Sequence, residues 1–291
     1  MIDMKIVRKL LRNPLSCIGL ILLLFFTLIA LFAPLLAPPQ FPMEPYKIPR
    51  DGFGPVPQPP NKSHPFGTTS GQYDIYYGVV WGTRTAFRVG FIVTAGAALI
   101  GVILGSMAGY YGGLVEEIIM RIADIFWSFP FLVATMVLTT VLGRGLDKVM
   151  IALVVFGWPL YARLIRGEIL SQKEKEYIEA AKAVGSGNYR IILKHILPNT
   201  IYPVLIQMSM QIGTMVVTAS TLSFFGLGAP EGYADWGQLI SFSRNWILGP
   251  TGEPFKYWYT ITIPGIAIVL FVLSWNLVGD AFRDVMDPKL R

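Results

Sequence analysis

Val89-Gly-Phe-Ile-Val-Thr-Ala-Gly-Ala-Ala-Leu-Ile-Gly-Val-Ile-Leu-Gly-Ser-Met-Ala-Gly-Tyr110 contains no charged residue and no proline. A helix of about 20 such residues rises roughly 30 Å, the thickness of a bilayer's hydrocarbon core. The stretch reads as a membrane crossing, and the chain around it repeats the pattern. No Asp, Glu, Lys or Arg lies between Arg12 and Glu44, Arg88 and Glu116, Asp124 and Arg144, Lys194 and Glu231, or Lys256 and Asp280. Of the 291 residues, 53% are hydrophobic and 14% charged. An average soluble domain is about one-quarter charged. Too little charge remains to cover a soluble surface of this size, so soluble enzyme folds are excluded and an all-α membrane protein is expected.

Six crossings follow. The first, Leu15 to Ala37, trails Lys5, Arg8, Lys9 and Arg12 as a signal peptide would. Its apolar run exceeds the roughly 7–15 residues of a cleaved signal, so it is read as retained. A Pro-rich segment, Pro38 to Pro65, comes next and reads as an extended surface excursion, because proline excludes regular helix and central strand. The second crossing is Val89 to Tyr110, and the third runs from Ile118 to Leu142 with Pro130 in its middle. The fourth is the weakest: only Val149 to Ala162 is free of charge, and spanning length requires Arg163 to snorkel to the interface. The fifth and sixth are Thr200 to Leu222 and Thr260 to Gly279. Residues 1–80 form an N-terminal helix with the Pro-rich segment, and 81–284 a second unit.

Charge sets the orientation. With the N-terminus inside, the cytoplasmic side receives Lys5, Arg8, Lys9, Arg12 and Arg121. It also receives Arg163, Arg166, Lys173, Lys175, Lys182, Arg190 and Lys194, and at the tail Arg283, Lys289 and Arg291. This is the majority of the 24 Lys and Arg, so both termini are expected in the cytoplasm of a multi-pass plasma or inner membrane protein. The net charge of +6 then reflects membrane orientation and not a nucleic-acid partner. Cys17 as the lone cysteine excludes an intramolecular disulfide, and His64 and His195 are too far apart in sequence to suggest a metal site.

The loop between crossings four and five, residues 173–198, carries Tyr177-Ile-Glu-Ala-Ala-Lys-Ala-Val-Gly-Ser-Gly-Asn-Tyr189 and then His195-Ile-Leu-Pro198. It reads as two short helices around a Gly-Ser-Gly-Asn break. Glu174, Glu176 and Glu179 precede Lys182, and Ala180, Ala181 and Ala183 present a small surface. Gly185 permits a positive φ at the first helix end, and Pro198 stops the second helix. Such a hairpin suits a docking surface for a soluble partner, or a plain amphipathic connector.

The spacing of Glu179-Ala180-Ala181, Gly185 and Leu197-Pro198, with His195, resembles the EAA motif of ABC importer permeases. The branch is that of dipeptide and oligopeptide transporters. Gly67-Thr68-Thr69 with Asp74 and Tyr77-Gly78 is similar to the same branch, in its second, C-type permease subunit. So are Ala219-Ser220-Thr221-Leu222-Ser223-Phe224-Phe225-Gly226-Leu227-Gly228, Trp236-Gly237 and Asn276 to Pro288. Departures are the absence of a basic residue before Asp74, the composition of the Pro-rich segment, and the loop Asn245 to Tyr257.

The resemblance implies a type I ABC importer permease fold. It implies a sister permease, two ATP-binding cassette subunits, an external solute-binding protein and surrounding lipid as partners. Glu179, Ala180, Ala181, Gly185, His195, Leu197 and Pro198 would dock the ATPases. The solute would be a peptide, with oligosaccharides or nickel as alternatives within the branch. Nowhere does a G-x-x-x-x-G-K-[ST] phosphate loop occur, so the chain is not an enzyme and binds no cofactor itself; ATP and Mg belong to the ATPase partners.

Other patterns are weighed beside it. Gly101, Gly105, Gly109 and Gly113 recur every fourth residue, predicting close helix contact. Arg121 and Asp124 are spaced to pair with each other. Asp280, Arg283, Asp284 and Asp287 read as a solvated terminal helix. On crossing five, Gln207, Gln211, Thr214, Thr218 and Thr221 fall within a stripe roughly 80° wide. It is either the solute pathway or a contact with the sister permease. A secondary transporter or channel acting alone would call for intramembrane ionisable residues, which the charge-free windows lack. The hairpin alone would also permit a membrane scaffold.

Overall fold

The computed structural model describes residues 13–249 and 253–286. The basic residues Lys5, Arg8, Lys9 and Arg12, and Asp287, Pro288, Lys289 and Arg291, lie outside the described residues. Within them the chain is helical: α1 Pro14–Leu36, α2 Ile75–Tyr111, α3 Gly113–Trp127, α4 Phe131–Leu142, α5 Leu146–Gln172 and α6 Glu176–Ala183. Then come α7 Asn188–Phe224, α8 Trp236–Phe242 and α9 Tyr259–Met286.

Contacts fix the direction of each helix. Trp81 Nε1 donates to Ala37 O (2.9 Å) and Arg84 to the carbonyls of Ala30 and Leu31, so α2 runs antiparallel to α1. Arg84 also resolves a local defect: Pro34 has no N–H, which frees the Ala30 carbonyl that a regular helix would use. Along α2, Gly96 faces Val154, Gly101 faces Trp158 and Tyr161, and Gly109 faces Arg166 and Ile169. Residue numbers rise together, so α2 and α5 are parallel. Gly90 meets Ile212 and Val216, Gly213 meets Val272, and Gly279 meets Ser209 and Met210; α7 opposes both α2 and α9. Gly19 lies on Leu277 and Val278, which puts the start of α1 and the end of α9 at one end of the bundle.

Two parallel helices joined in sequence need a return crossing between them. Only α3 and α4 can make it, so the pair crosses once and the bundle has six crossings. The third crossing is nevertheless not the continuous helix expected from Ile118 to Leu142. It bends by 89° between Trp127 and Phe131. Pro130 lacks an N–H and sits at φ −57°, ψ 122° as the N-cap of α4, out of helical register.

Other boundaries move outward. The helix that makes the second crossing starts at Ile75, ahead of Val89, because Asp74 Oδ1 caps it by accepting from Tyr77 N (2.7 Å). The helix of the fourth extends to Gln172, and the Arg163 guanidinium within it is bound to Asp124 and lies 3.8 Å from the Trp127 ring centre. The expected glycine seam holds for Gly101, Gly105 and Gly109. A Cβ on Gly101 would lie 2.5 Å from Tyr161 Cβ, and one on Gly105 would strike the Ala162 carbonyl. Gly113 departs from it: it begins the next helix at φ +53° with nothing within 4 Å.

The Pro-rich segment is not helical, as expected, but it is packed and not merely extended. Ile48 is 2% exposed, Tyr46 stacks on Tyr233 at 5.1 Å, and Tyr77 OH donates to Pro45 O (2.6 Å). It covers the bundle end where α2 begins, together with α8. There Asp235 accepts from Gln238 N (2.9 Å) and Trp236 Nε1 donates to Val79 O (3.1 Å). Any side chain at Gly237 would strike the Ser220 backbone, which is why α8 can lie flush on α7.

Candidate functional site

At the opposite end, α6 and the start of α7 project from the bundle. Ile178, Ala181, Ile191 and Ile196 turn inward and pack on Tyr161, Ile165 and Ile169 of α5. Tyr110 OH donates to Asn188 Oδ1 (2.9 Å), and Lys173 Nζ to Gly109 O (3.3 Å), so both arms of the loop are held to the end of α2. The expected small surface is therefore split: Ala181 is 8% exposed, while Glu179, Ala180 and Ala183 face outward. Beside them Val184 is 81% and Tyr189 78% exposed.

Gly185 stands at φ +79°, as expected, and closes the helix in a Schellman pattern. Ser186 N donates to Ala181 O (3.0 Å) and Gly185 N to Lys182 O (2.9 Å). Pro198 is exposed, but it does not stop the second helix. Ile191–Ile196 form a π turn in which Leu197 N donates to Ile192 O, and α7 continues through Leu197 and Pro198 to Phe224. The wider turn removes the regular i−4 bond that the proline cannot make. His195 and Leu197 are half-buried at this junction.

Ion pairs line this same end between α3 and α5: Arg166 with Glu116, and Arg163 with Asp124. The expected Arg121–Asp124 pair is absent; Arg121 lies 3.7 Å from Glu117. Sequence spacing could show only same-helix neighbours, and the parallel α5 supplies Asp124 with a better partner. Asp280, Arg283 and Asp284 are exposed at the end of α9, as expected; Asp287 lies outside the described residues.

The stripe on α7 is only partly covered: its first member, Gln207, lines the cleft between α5, α7 and α9, and Gln211 Oε1 is buried. Thr214 is exposed, and Gln207, Gln211, Thr218 and Thr221 are half-buried. Thr218 and Thr221 donate to Thr214 O and Val217 O (both 2.9 Å), so their hydroxyls still offer lone pairs outward. Met215 and Val216, between them, are buried.

One cluster at the cap end was not singled out from sequence. His64, 7% exposed, places Nδ1 2.5 Å from Asp74 Oδ2 and Nε2 2.9 Å from Asp51 Oδ2. Burial works against its charged form, but the bonds and charges of Asp74 and Asp51 win, and its pKa is raised from 6.5. Two residues before Asp74, Gln72 Nε2 donates to Gly54 O (3.2 Å) and Val56 O (2.7 Å), and Gln72 Oε1 accepts from Gln58 (2.6 Å). Burial likewise pushes the Asp235 carboxyl up to about 6, against the bond it accepts from Gln238 N.

The loop between α5 and α7 is thus anchored on one face and bare on the other, at the end of a bundle of long apolar helices. Comparison with known proteins gives the family. Residues 101–291 match the binding-protein-dependent transport system inner membrane component, and residues 4–60 the N-terminal TM domain of oligopeptide transport permease C. The chain belongs to this family of ABC permeases, in its C-type branch. It is 37% identical over 284 residues to the dipeptide transport system permease protein DppC of Alkalihalophilus pseudofirmus, covering 98% of this chain and 89% of that one. It is 35% identical over 279 residues to the oligopeptide transport system permease protein OppC of Bacillus subtilis, covering 96% and 87%. An inward-facing crystal form of the MetNI methionine ABC transporter superposes with a TM-score of 0.55 at 20% identity, over 72% of this chain and 97% of that one, and shares the type I importer permease fold.

Proposed function

We propose that this chain forms, with a sister permease, the membrane path of an importer for dipeptides or oligopeptides. The solute-binding protein would meet the cap end, outside the cell, and two ATPase subunits would hold ATP and Mg at the coupling end, in the cytoplasm with both termini. The observation that carries the reading is the coupling loop: Ile178, Ala181 and Ile191 anchor it while Glu179, Ala180, Val184 and Tyr189 are left open to a partner. A peptide solute is favoured by the dipeptide and oligopeptide permeases among the relatives. The stripe from Gln207 to Thr221 offers uncharged amides and hydroxyls that hydrogen-bond a passing solute without the cost of a buried charge.

The test is reconstitution. The complex with its ATPases and binding protein should hydrolyse ATP faster when a dipeptide is present and should carry it across the bilayer, while this chain alone should hydrolyse none. Steady ATP turnover by the single chain, or no peptide uptake by the complex, would overturn the reading.

A further inference from the structure

A cavity of about 630 Å³ opens at the coupling end where α5, α7 and α9 converge. Its volume falls within the roughly 300–1,000 Å³ of small-molecule sites. Two charged side chains line it, Glu168 from α5 and Arg283 from α9, with Gln172, Asn199, Tyr202 and Gln207 among the rest. The neighbouring cleft between α3 and α5 is different: there Arg166 is bound to Glu116, Arg163 to Asp124 and Arg121 to Glu117. Among the described residues no ion pair joins Glu168 or Arg283 to anything. Gln172 is held through Oε1 by the Tyr177 hydroxyl (3.1 Å), and Asn199 donates to His195 O (2.7 Å), which leaves the Gln172 amide N–H groups and the Asn199 carbonyl oxygen for a ligand. Gln207 belongs both to this cavity and to the polar stripe, so the stripe leads into it.

We infer that this cavity is an inner-vestibule binding site for a short zwitterionic peptide, in which Glu168 takes the ammonium group and Arg283 the carboxylate. The inference rests on the peptide reading above and deepens it. One acidic and one basic group, each without an ion-pair partner among the described residues, flank a cavity in which three neutral amides stand among apolar side chains. That arrangement complements a ligand bearing one charge of each sign at its two ends. A neutral sugar would leave both charges unanswered, and a bare metal cation would meet a single carboxylate and an adjacent guanidinium. Charge-assisted hydrogen bonds of this kind are the strong ones, and Arg can hold a carboxylate bidentately.

The experiment uses the complete complex in proteoliposomes with the ATPases facing out and the binding protein with its dipeptide inside. Ala-Ala added outside reaches the vestibule without passing the binding protein. It should slow transport and ATP hydrolysis, whereas N-acetyl-Ala-Ala-amide at the same concentration should not. Glu168→Gln and Arg283→Gln should each raise the inhibitory concentration of Ala-Ala about tenfold or more, the loss expected for one charged hydrogen bond. The exchange variant Glu168→Arg with Arg283→Glu should restore part of the inhibition, since a zwitterion can bind reversed. Equal inhibition by the blocked peptide, no inhibition by Ala-Ala, or unchanged inhibition in both single variants would overturn the site. If the wild-type complex carries no dipeptide at all, the functional reading itself fails, a result distinct from loss of the site alone.

Discussion

The two ends of the bundle solve the problem of irregular backbone in opposite ways. At the cap end, segment 38–74 has almost no regular structure, yet its polar groups answer one another. Gln72 reaches two backbone carbonyls and Gln58, Ser70 Oγ donates to Pro55 O (2.9 Å), and His64 joins Asp51 to Asp74. At the coupling end the backbone is nearly all helical, yet Val184 and Tyr189 lie open. Regularity and completeness are thus independent. The irregular end pairs its polar groups within the chain while leaving Met43 and Phe53 bare, and the helical end leaves Val184 and Tyr189 bare on a regular backbone.

The comparison can be broken most severely where both ends share a support. Gly105→Val forces a side chain into the Ala162 carbonyl across the α2–α5 seam. The expected cost is about 3 kcal/mol or more, from overpacking against backbone that cannot yield. Thermal unfolding and size exclusion in detergent should show both ends lost together. A variant with a wild-type melting curve would show the seam to be loose.

Next, the coupling end alone. Gly185→Val places a β-branched residue at φ +79°, where L residues pay roughly 1–2 kcal/mol, and Glu179→Lys reverses an exposed charge. Each should insert and fold, Gly185→Val with a small drop in melting temperature, but lose ATPase co-purification and transport. Wild-type import by both would make the loop a mere connector.

The cap end should respond in the reverse sense. Asp74→Ala removes the helix cap and one carboxylate from His64, at about 2 kcal/mol. Amide exchange of residues 75–77 should accelerate while ATPase binding is unchanged. Slower or unaltered exchange would deny the cap its role.

A smaller effect follows from pH. His64 has a folded pKa above its ordinary 6.5, so the stabilisation it lends is complete below about 6.5 and fades as pH rises through the folded value. Asp235 acts in a separate window: folded near 6 against 3.8, it costs stability as pH climbs between those values. Exchange at the cap should therefore quicken in two stages on alkalinisation, and His64→Gln should abolish only the upper one. The smallest effect is local. Single cysteines at Gln207, Gln211, Thr214, Thr218 and Thr221 in a Cys17→Ser background should react with a small soluble thiol reagent and change reactivity when ATP binds. Uniform protection in every nucleotide state would assign the stripe to packing.

Crossings were legible because water-seeking charges stop where lipid begins, and the Gly185 turn because few residues adopt that φ. What was hidden depends on contacts between distant segments. Arg84 and Arg88 interrupt the apolar run, so α2 read as starting at Val89. Arg84 in fact answers carbonyls of α1. Pro130 announced an irregularity but not its angle, which is set by the return between parallel α2 and α5. Pro198 looked like a stop because the π turn that accommodates it has no sequence signature of its own. Asp124 could show its partner only once α5 lay beside it. The His64 cluster was missed for the same reason, though Asp before a helical run was a readable cap signal.

The closeness of α2 and α5 has a mechanical corollary. Backbones interlocked at Gly101, Gly105 and Gly109 leave no room for one helix to slide along the other. The two therefore form a beam, and α2 alone, with 37 residues, is about 55 Å long. One tip holds the coupling loop through Tyr110, and the other carries Asp74 beneath the cap. Tilting such a beam by about 5° about one tip moves the other by about 5 Å. A push of a few ångströms against the loop can thus be felt under the Pro-rich segment without any rearrangement inside the beam.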